Sequence, residues 1–292
     1  MDAATYDAAS PAAATVAAVR RACVEAGEAD PLDEAAVLAL KHHGLATSAL
    51  WVADDGGFAL SRDGVLALAV APAARERGLG TDLALAAVAG SPVTAAWAHG
   101  DHPAAGRLAT RLGFDRAREL WVMRRAASDP LPALPARDDV AIRAYGHRDG
   151  DELLRVNAAA FAHHPEQGAM DTADLAARMG EPWFDPAGLL LATDTTTGAL
   201  LGFHWTKLHS ADLGEVYVVG VAPEAQGRGL GRLLTLAGLH HLTTRGVTEI
   251  LLYVESDNTP ALRLYSGLGF THAGIDTHVM YVRPVPLSTG SS

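Results

Sequence analysis

The chain has 292 residues, and at about 100–200 residues per domain that length favours two domains, each able to bury a core of its own. A formal net charge of −11 excludes a general nucleic-acid binder, whose phosphate contacts need a basic face, but not a local basic pocket for a polyanion. A single cysteine, Cys23, excludes an intramolecular disulfide framework and a cysteine metal cluster. With 49% hydrophobic but only 6% aromatic residues, the cores must be built largely from Ala, Leu and Val. The N-terminus lacks a basic region and a long apolar run, and no stretch approaches the ~18 apolar residues of a membrane span, so a soluble cytoplasmic protein without membrane partners is expected.

In chain order, Pro11 to Ala26 carries Val16, Val19 and Cys23 at helical spacing, which makes Cys23 a small buried residue of a first helix, and Pro31-Leu32-Asp33-Glu34 opens a second. Leu50 to Ala53 and Phe58 to Leu60 flank the hairpin signal Asp54-Asp55-Gly56-Gly57, and Val65 to Val70 is a strand. Arg75-Glu76-Arg77-Gly78-Leu79-Gly80 leads into a helix from Thr81 to Ala89. The strand Val93 to Ala98, the helix Ala104 to Leu112 and the strand Leu120 to Met123 follow. Residues 128–139 contain Pro130, Pro132 and Pro135 with no hydrophobic period, an extended linker between domains at 1–127 and 140–292.

After the linker the order of elements begins again. Val140 to Ala144 is a strand, Asp151 to Phe161 and Thr172 to Met179 are helical, and Leu189 to Thr193 and Leu200 to Leu208 flank a turn at Gly198. Then comes Glu215 to Arg232, a β-branched strand running into a glycine-rich turn and a helix that continues to Arg245. The strand Glu249 to Val254, a short helix after Thr259 and final strands ending near Arg283 complete the chain. The fold class is α/β, as two mixed-sheet units in tandem. The repeat is visible directly: Val65 to Pro72 lies over Val216 to Pro223 at an offset of 151, and Leu112-Gly113-Phe114 over Leu268-Gly269-Phe270 at 156.

The turn carries chemistry. Gly227, Gly229 and Gly231 clear the backbone, and the first amides of a helix lack intrahelical partners, so a pyrophosphate fits there, aided by the helix dipole and by Arg228 and Arg232. The bland alternative is a tight strand-to-helix turn with no ligand. Glu215, at the start of the strand that leads into the turn, would stand beside a ligand held there, where a carboxylate serves as a general base.

The pattern Gln226-x-x-Gly229-x-Gly231 resembles the acyl-CoA signature of the GCN5-related N-acetyltransferases. Both units resemble that family over nearly all their length, most specifically in Gly202-Phe203-His204-Trp205-Thr206-Lys207, Glu215 to Val221, Leu252 to Asn258 and His164-Pro165-Glu166-Gln167-Gly168. The resemblance implies an enzyme with acetyl-CoA as donor, no metal, and a small-molecule acceptor, the cysteinyl amine of a glucosaminyl-inositol. It implies direct transfer in a ternary complex by a monomer that binds neither nucleic acid nor membrane. Other amines, or a non-catalytic acyl-CoA sensor, are the alternatives.

By the same resemblance Tyr265 is the general acid, Val219, Gly220 and Val221 offer strand-edge amides, and Gln226, Gly227, Arg228, Gly229, Leu230, Gly231 and Arg232 hold the pyrophosphate. Asn258, Thr259, Pro260, Ala261, Leu262 and Arg263 contact the cofactor arm; Glu34, Glu166, Lys207, Glu215 and Tyr253 contact the acceptor, and His204 is a further candidate. In the first copy Leu68, Ala69 and Val70, with Glu76, Arg77, Gly78, Leu79, Gly80 and Thr81, form the matching cofactor set. Glu215 falls on Gly64 and Tyr265 on Ala109, so the first copy has neither base nor acid. It holds acetyl-CoA without turnover or keeps the loop only as fold. The pairs His42-His43, His163-His164 and His240-His241 are poor metal ligands, because neighbours on a helix face apart.

Overall fold

A computed structural model describes residues 10–162 and 167–284. In chain order the elements are α1 (Pro11–Glu25), α2 (Glu34–His43), β1 (Ser48–Ala53), β2 (Gly57–Arg62), β3 (Val65–Val70), α3 (Leu79–Gly90), β4 (Ala95–Ala98), α4 (Pro103–Arg111) and β5 (Asp115–Ala126). They continue with β6 (Val140–Ala144), α5 (Gly150–Ala160), α6 (Thr172–Met179), β7 (Leu189–Asp194), β8 (Leu200–Leu208) and β9 (Leu213–Val221). The last are α7 (Leu230–Thr244), β10 (Glu249–Glu255), α8 (Thr259–Ser266) and β11 (Thr271–Val282). No described helix is long and apolar enough to cross a membrane.

Two compact units result. The first takes described residues 10–121 and 273–284, the second 122–162 and 167–272. In the first unit β1, β2 and β3 form an antiparallel meander and β3 runs parallel to β4, where Val65 faces Ala95 and Ala67 faces Trp97. Ser10 and Asp33 cap α1 and α2 by accepting from the Ala13 and Ala36 amides, and these helices bury Val16, Val19, Cys23 and Leu40 against Phe58 and Leu60. Leu83 and Ala87 of α3 pack with Trp51, Phe114 and Val279.

The units depart from the division read off the sequence, which kept 140–292 together. Val279 to Val282 of β11 pair antiparallel with Ala98 to Ala95 of β4, so the end of the chain belongs to the first unit, while residues 122–126 of β5 belong to the second. Alternation of apolar residues identifies a strand but not which open edge it joins, so this exchange has no sequence signal. Nor is the stretch 128–139 a free linker. The Ala127 amide donates to the Thr248 carbonyl, the His240 ring meets the Pro132 carbonyl at 2.9 Å, and Arg137 reaches Asp139 and the Arg228 carbonyl, all within the second unit.

In the second unit β6, β7, β8 and β9 are successively antiparallel and β10 runs parallel to β9. α7, rich in leucine, buries Leu233, Leu234, Leu239 and Leu242 on one face of the sheet, and α5 buries Leu153 and Val156 on the other. Full burial of each such leucine contributes about 1.5–3 kcal/mol. Two irregularities position the site. Trp205 pairs with Val218 but Thr206 with Val216, so Tyr217 is an extra residue, a β-bulge in β9. And the β9–β10 ladder stops at Val216 and Leu252, although both strands continue to Val221 and Glu255.

Candidate active site of the second unit

The register of β8 and β9 places Lys207 directly opposite Glu215. Directly paired residues share a face, so both project on the side away from α7, with Trp205 two residues before Lys207 and Tyr217 two after Glu215. Both charged groups are buried, Glu215 at 5% exposure and Lys207 at 8%. The Lys207 ammonium lies 4.6 Å from the centre of the Trp183 ring and 5.1 Å from that of Tyr217, two aromatic faces that offset part of the cost of burying a cation. Glu215 Oε2 meets His209 Nε2 at 2.6 Å. On β10, Leu251 pairs with Glu215, so Tyr253, two residues on and 42% exposed, stands on the same face.

Glu215 lies one residue before the point where β9 and β10 stop pairing. Beyond it the Ala222 amide donates to Leu201 on β8, and by alternation the Val219 and Val221 amides point away from β8, toward the opening, whereas that of Gly220 points at β8. The strand then enters the glycine turn. Gly227 and Gly229 adopt φ of 76° and 75°, the left-handed region, with nothing within 4 Å of where a β-carbon would sit. Gly229 caps α7 without a side-chain bond, and the helix first closes with Leu233 N donating to Gly229 O at 3.1 Å. The amides of Leu230, Gly231 and Arg232 therefore lack an intrahelical acceptor, which is what an anion needs. Arg228 is paired to Asp139 at 2.8 Å, so the turn's own unshared charge is Arg232, which makes no ion pair among the described residues.

α8 begins where β10 ends. Asn258 caps it by accepting from the Ala261 amide at 3.2 Å, and Pro260 sits in the first turn. Tyr265 is half-buried against Phe270, ring centres 6.0 Å apart, and its hydroxyl makes no hydrogen bond to a described residue. Burial pushes the phenol up to about 12, so it stays protonated throughout the neutral range.

A family model described as "Acetyltransferase (GNAT) family" matches residues 154–270. A mycothiol acetyltransferase from Nocardioides sp. strain JS614 is 58% identical over 92% of this chain and 97% of its own. Among solved structures, a GCN5-related N-acetyltransferase from Sphaerobacter thermophilus superposes with a TM-score of 0.68 at 26% identity, covering 94% of both chains. A tandem acetyltransferase of this kind from the clavulanic acid biosynthesis pathway gives 0.67 at 18% identity over 96% of both, a likeness of fold. The chain belongs to the mycothiol acetyltransferase family.

It is accordingly an acetyl-CoA N-acetyltransferase with a mixed α/β sheet in each unit. The two copies of its signature loop differ in detail. Gly78 has φ 85° like Gly229, but the residue matching Gly227 is Glu76, held at φ 64° in a region side chains disfavour. Arg75, matching Gln226, is turned inward onto the Glu28 carboxylate with contacts of 2.5 and 2.6 Å, and onto the Val70 carbonyl. Gly64, matching Glu215, precedes β3, has φ 80°, and a β-carbon there would sit 3.0 Å from Thr94 Oγ1. The first unit thus has no counterpart of Glu215, in backbone conformation as well as in side chain.

His204, expected near an acceptor, does not share the face of Glu215 and Lys207: it is fully buried on the α7 side, its Nδ1 2.8 Å from the Leu234 carbonyl, and burial pushes it down to about 4. Arg228 shares its charge with Asp139. Glu34 opens α2 in the first unit beside the capping Asp33. Glu166 and the pair His163-His164 lie outside the described residues, while Gln167 bonds to the buried Asn157 of α5. His240 and His241 do diverge, toward the Pro132 carbonyl and toward Asp185. His209 and Trp183 were missed, although the alternation Lys207-x-His209 before a turn back to Glu215 carries the signal for the first.

Proposed function

We propose that the second unit transfers the acetyl group of acetyl-CoA to the amine of cysteinyl-glucosaminyl-inositol, the last step of mycothiol biosynthesis, in the cytoplasm and as a monomer. The observation that carries the catalytic part of this reading is Glu215, a buried carboxylate at the mouth of the opening between two parallel strands, on the face that also bears Lys207 and Tyr253. The 58% identity to a mycothiol acetyltransferase along almost the whole chain supports the choice of acceptor.

Acetyl-CoA supplies the activated acyl group. The residues that suit it are the outward amides of Val219 and Val221 for the pantetheine and the carbonyl oxygen, the free amides of Leu230, Gly231 and Arg232 for the pyrophosphate, and the Asn258 to Arg263 turn for the remaining arm. Glu215 takes the proton of the acceptor amine, directly or through one water, so that nitrogen attacks as a neutral nucleophile. The Val219 and Val221 amides stand ready to stabilise negative charge growing on the carbonyl oxygen. Tyr265 donates its phenolic proton to the departing sulfur. The sole cysteine, Cys23, is buried on α1 of the first unit, which supports direct transfer over a covalent cysteine intermediate. Lys207 and Tyr253, on the face of Glu215, supply polar contacts that a polyhydroxyl acceptor requires, and the family resemblance adds Glu166.

The first unit keeps the left-handed Gly78 and the start of α3 but adds Glu76 and Asp82 near that helix start. It holds acetyl-CoA more weakly than the second and does not turn it over. The test of the acceptor is thiol release from acetyl-CoA with a panel of amines. Preference for cysteinyl-glucosaminyl-inositol supports the reading, and equal or better rates with amines lacking the cysteinyl group sink it.

A further inference from the structure

We infer that His209 is a positioning residue for Glu215, holding one carboxylate oxygen so that the other is presented to the acceptor amine; the inference rests on the reading of Glu215 as the general base. The Nε2 to Oε2 separation of 2.6 Å is short even for a hydrogen bond to a charged group. A carboxylate can only accept, so Nε2 carries the hydrogen and donates it.

The environments of the two partners differ in a way that suits the role. The Glu215 side chain is 6% exposed and that of His209 33%, so the buried carboxylate is tied to a group that reaches solvent. His209 is itself fixed. It ends the β8–β9 hairpin, its amide donating to the Leu213 carbonyl at 2.9 Å, and the turn behind it is closed by Ser210 Oγ, which accepts from the Asp212 and Leu213 amides at 3.2 and 3.1 Å. Lys207 faces Glu215 across the ladder and His209 lies just past the end of β8, so the contact that fixes one oxygen of the Glu215 carboxylate comes from the hairpin turn itself. A general base that must meet a proton at hydrogen-bond distance gains from that constraint without His209 touching substrate.

The experiment compares steady-state kinetics of His209→Leu, His209→Gln and Glu215→Gln with the double variant His209→Leu/Glu215→Gln, together with urea unfolding of each. Gln places an amide N–H near the position of Nε2, while Leu removes the donor. Loss of a hydrogen bond to a charged group predicts kcat about 10–100-fold lower in His209→Leu, with KM for acetyl-CoA and acceptor within about twofold. His209→Gln recovers kcat to within about threefold, and the double variant is no slower than Glu215→Gln alone, as expected for two residues acting as a unit.

Wild-type kcat in His209→Leu, failure of Gln to rescue, or additive losses in the double variant would each overturn the inference. Should the leucine variant not fold, His209→Asn, whose amide is too short to reach Oε2, takes its place against Gln. Full activity in Glu215→Gln would instead remove the reading of Glu215 itself. A dead Glu215→Gln beside a fully active His209→Leu removes only the role of His209.

Discussion

The two strand-to-helix junctions of this chain lie 151 residues apart and share their left-handed glycine, yet they are built for different ends. In the second, the helix start is left open. Gly227 and Gly229 face empty space, three amides have no intrahelical acceptor, and Arg232 stands unpaired among the described residues. In the first, Glu76 occupies the position of Gly227, Thr81 that of Arg232 and closes back on Gly78 O at 2.9 Å, and Arg75 is consumed by Glu28. Both copies share the left-handed glycine, so the glycine pattern specifies a backbone turn. What differs between the two copies is the charge and the open donors around the turn and the carboxylate on the preceding strand, which only the second copy has.

The comparison can be broken most sharply at the residues the first unit lacks. Glu215→Gln is expected to lower kcat by ~10²–10³, the range of a lost general base, with acetyl-CoA still bound. Tyr265→Phe should cost less, about 10–100-fold in kcat, because water substitutes partly for the acid. Since the phenol stays protonated up to about 12, no loss of its acid function is expected in a pH–rate profile through neutral and mildly alkaline pH. Gly229→Val forces a β-branched residue to φ 75°, a strain of about 1–3 kcal/mol, and should raise KM for acetyl-CoA about tenfold with a smaller change in kcat. Glu76→Gly, the reciprocal change, should tighten acetyl-CoA at the first unit several-fold by calorimetry and leave turnover within about twofold.

A smaller effect concerns stability. His204 titrates at about 4 in the folded chain against 6.5 for an ordinary histidine, because burial disfavours its charged form. The unfolded chain therefore takes up that proton first. The stabilisation is fully present above about pH 6.5 and is lost as pH falls toward 4. Denaturant unfolding of His204→Asn should show a shallower decline over that window; an unchanged decline would assign it to other groups.

Much of this was legible in the residues. Helix starts at Ser10-Pro11 and Asp33, the hairpin at residues 54–57, the whole of β6, α6 and β8, and the strand-turn-helix around Gly229 follow from local capping, turn and alternation chemistry. What escaped depends on pairing. The bulge at Tyr217 and the early end of the β9–β10 ladder are properties of two strands together, and the placement of β11 beside β4 is a choice among open edges. His204 shows the same limit. One residue's parity on β8 decides between the face that bears Glu215 and the underside of α7, and Lys207 has the parity that His204 lacks.

The most direct test of the account is mass spectrometry of the product formed from acetyl-CoA and cysteinyl-glucosaminyl-inositol by the intact protein and by Glu215→Gln. The account predicts a product acetylated on the cysteinyl nitrogen with its thiol free, formed at least ~10²-fold more slowly by the variant. Acetyl on sulfur, or an undiminished rate in Glu215→Gln, would contradict it.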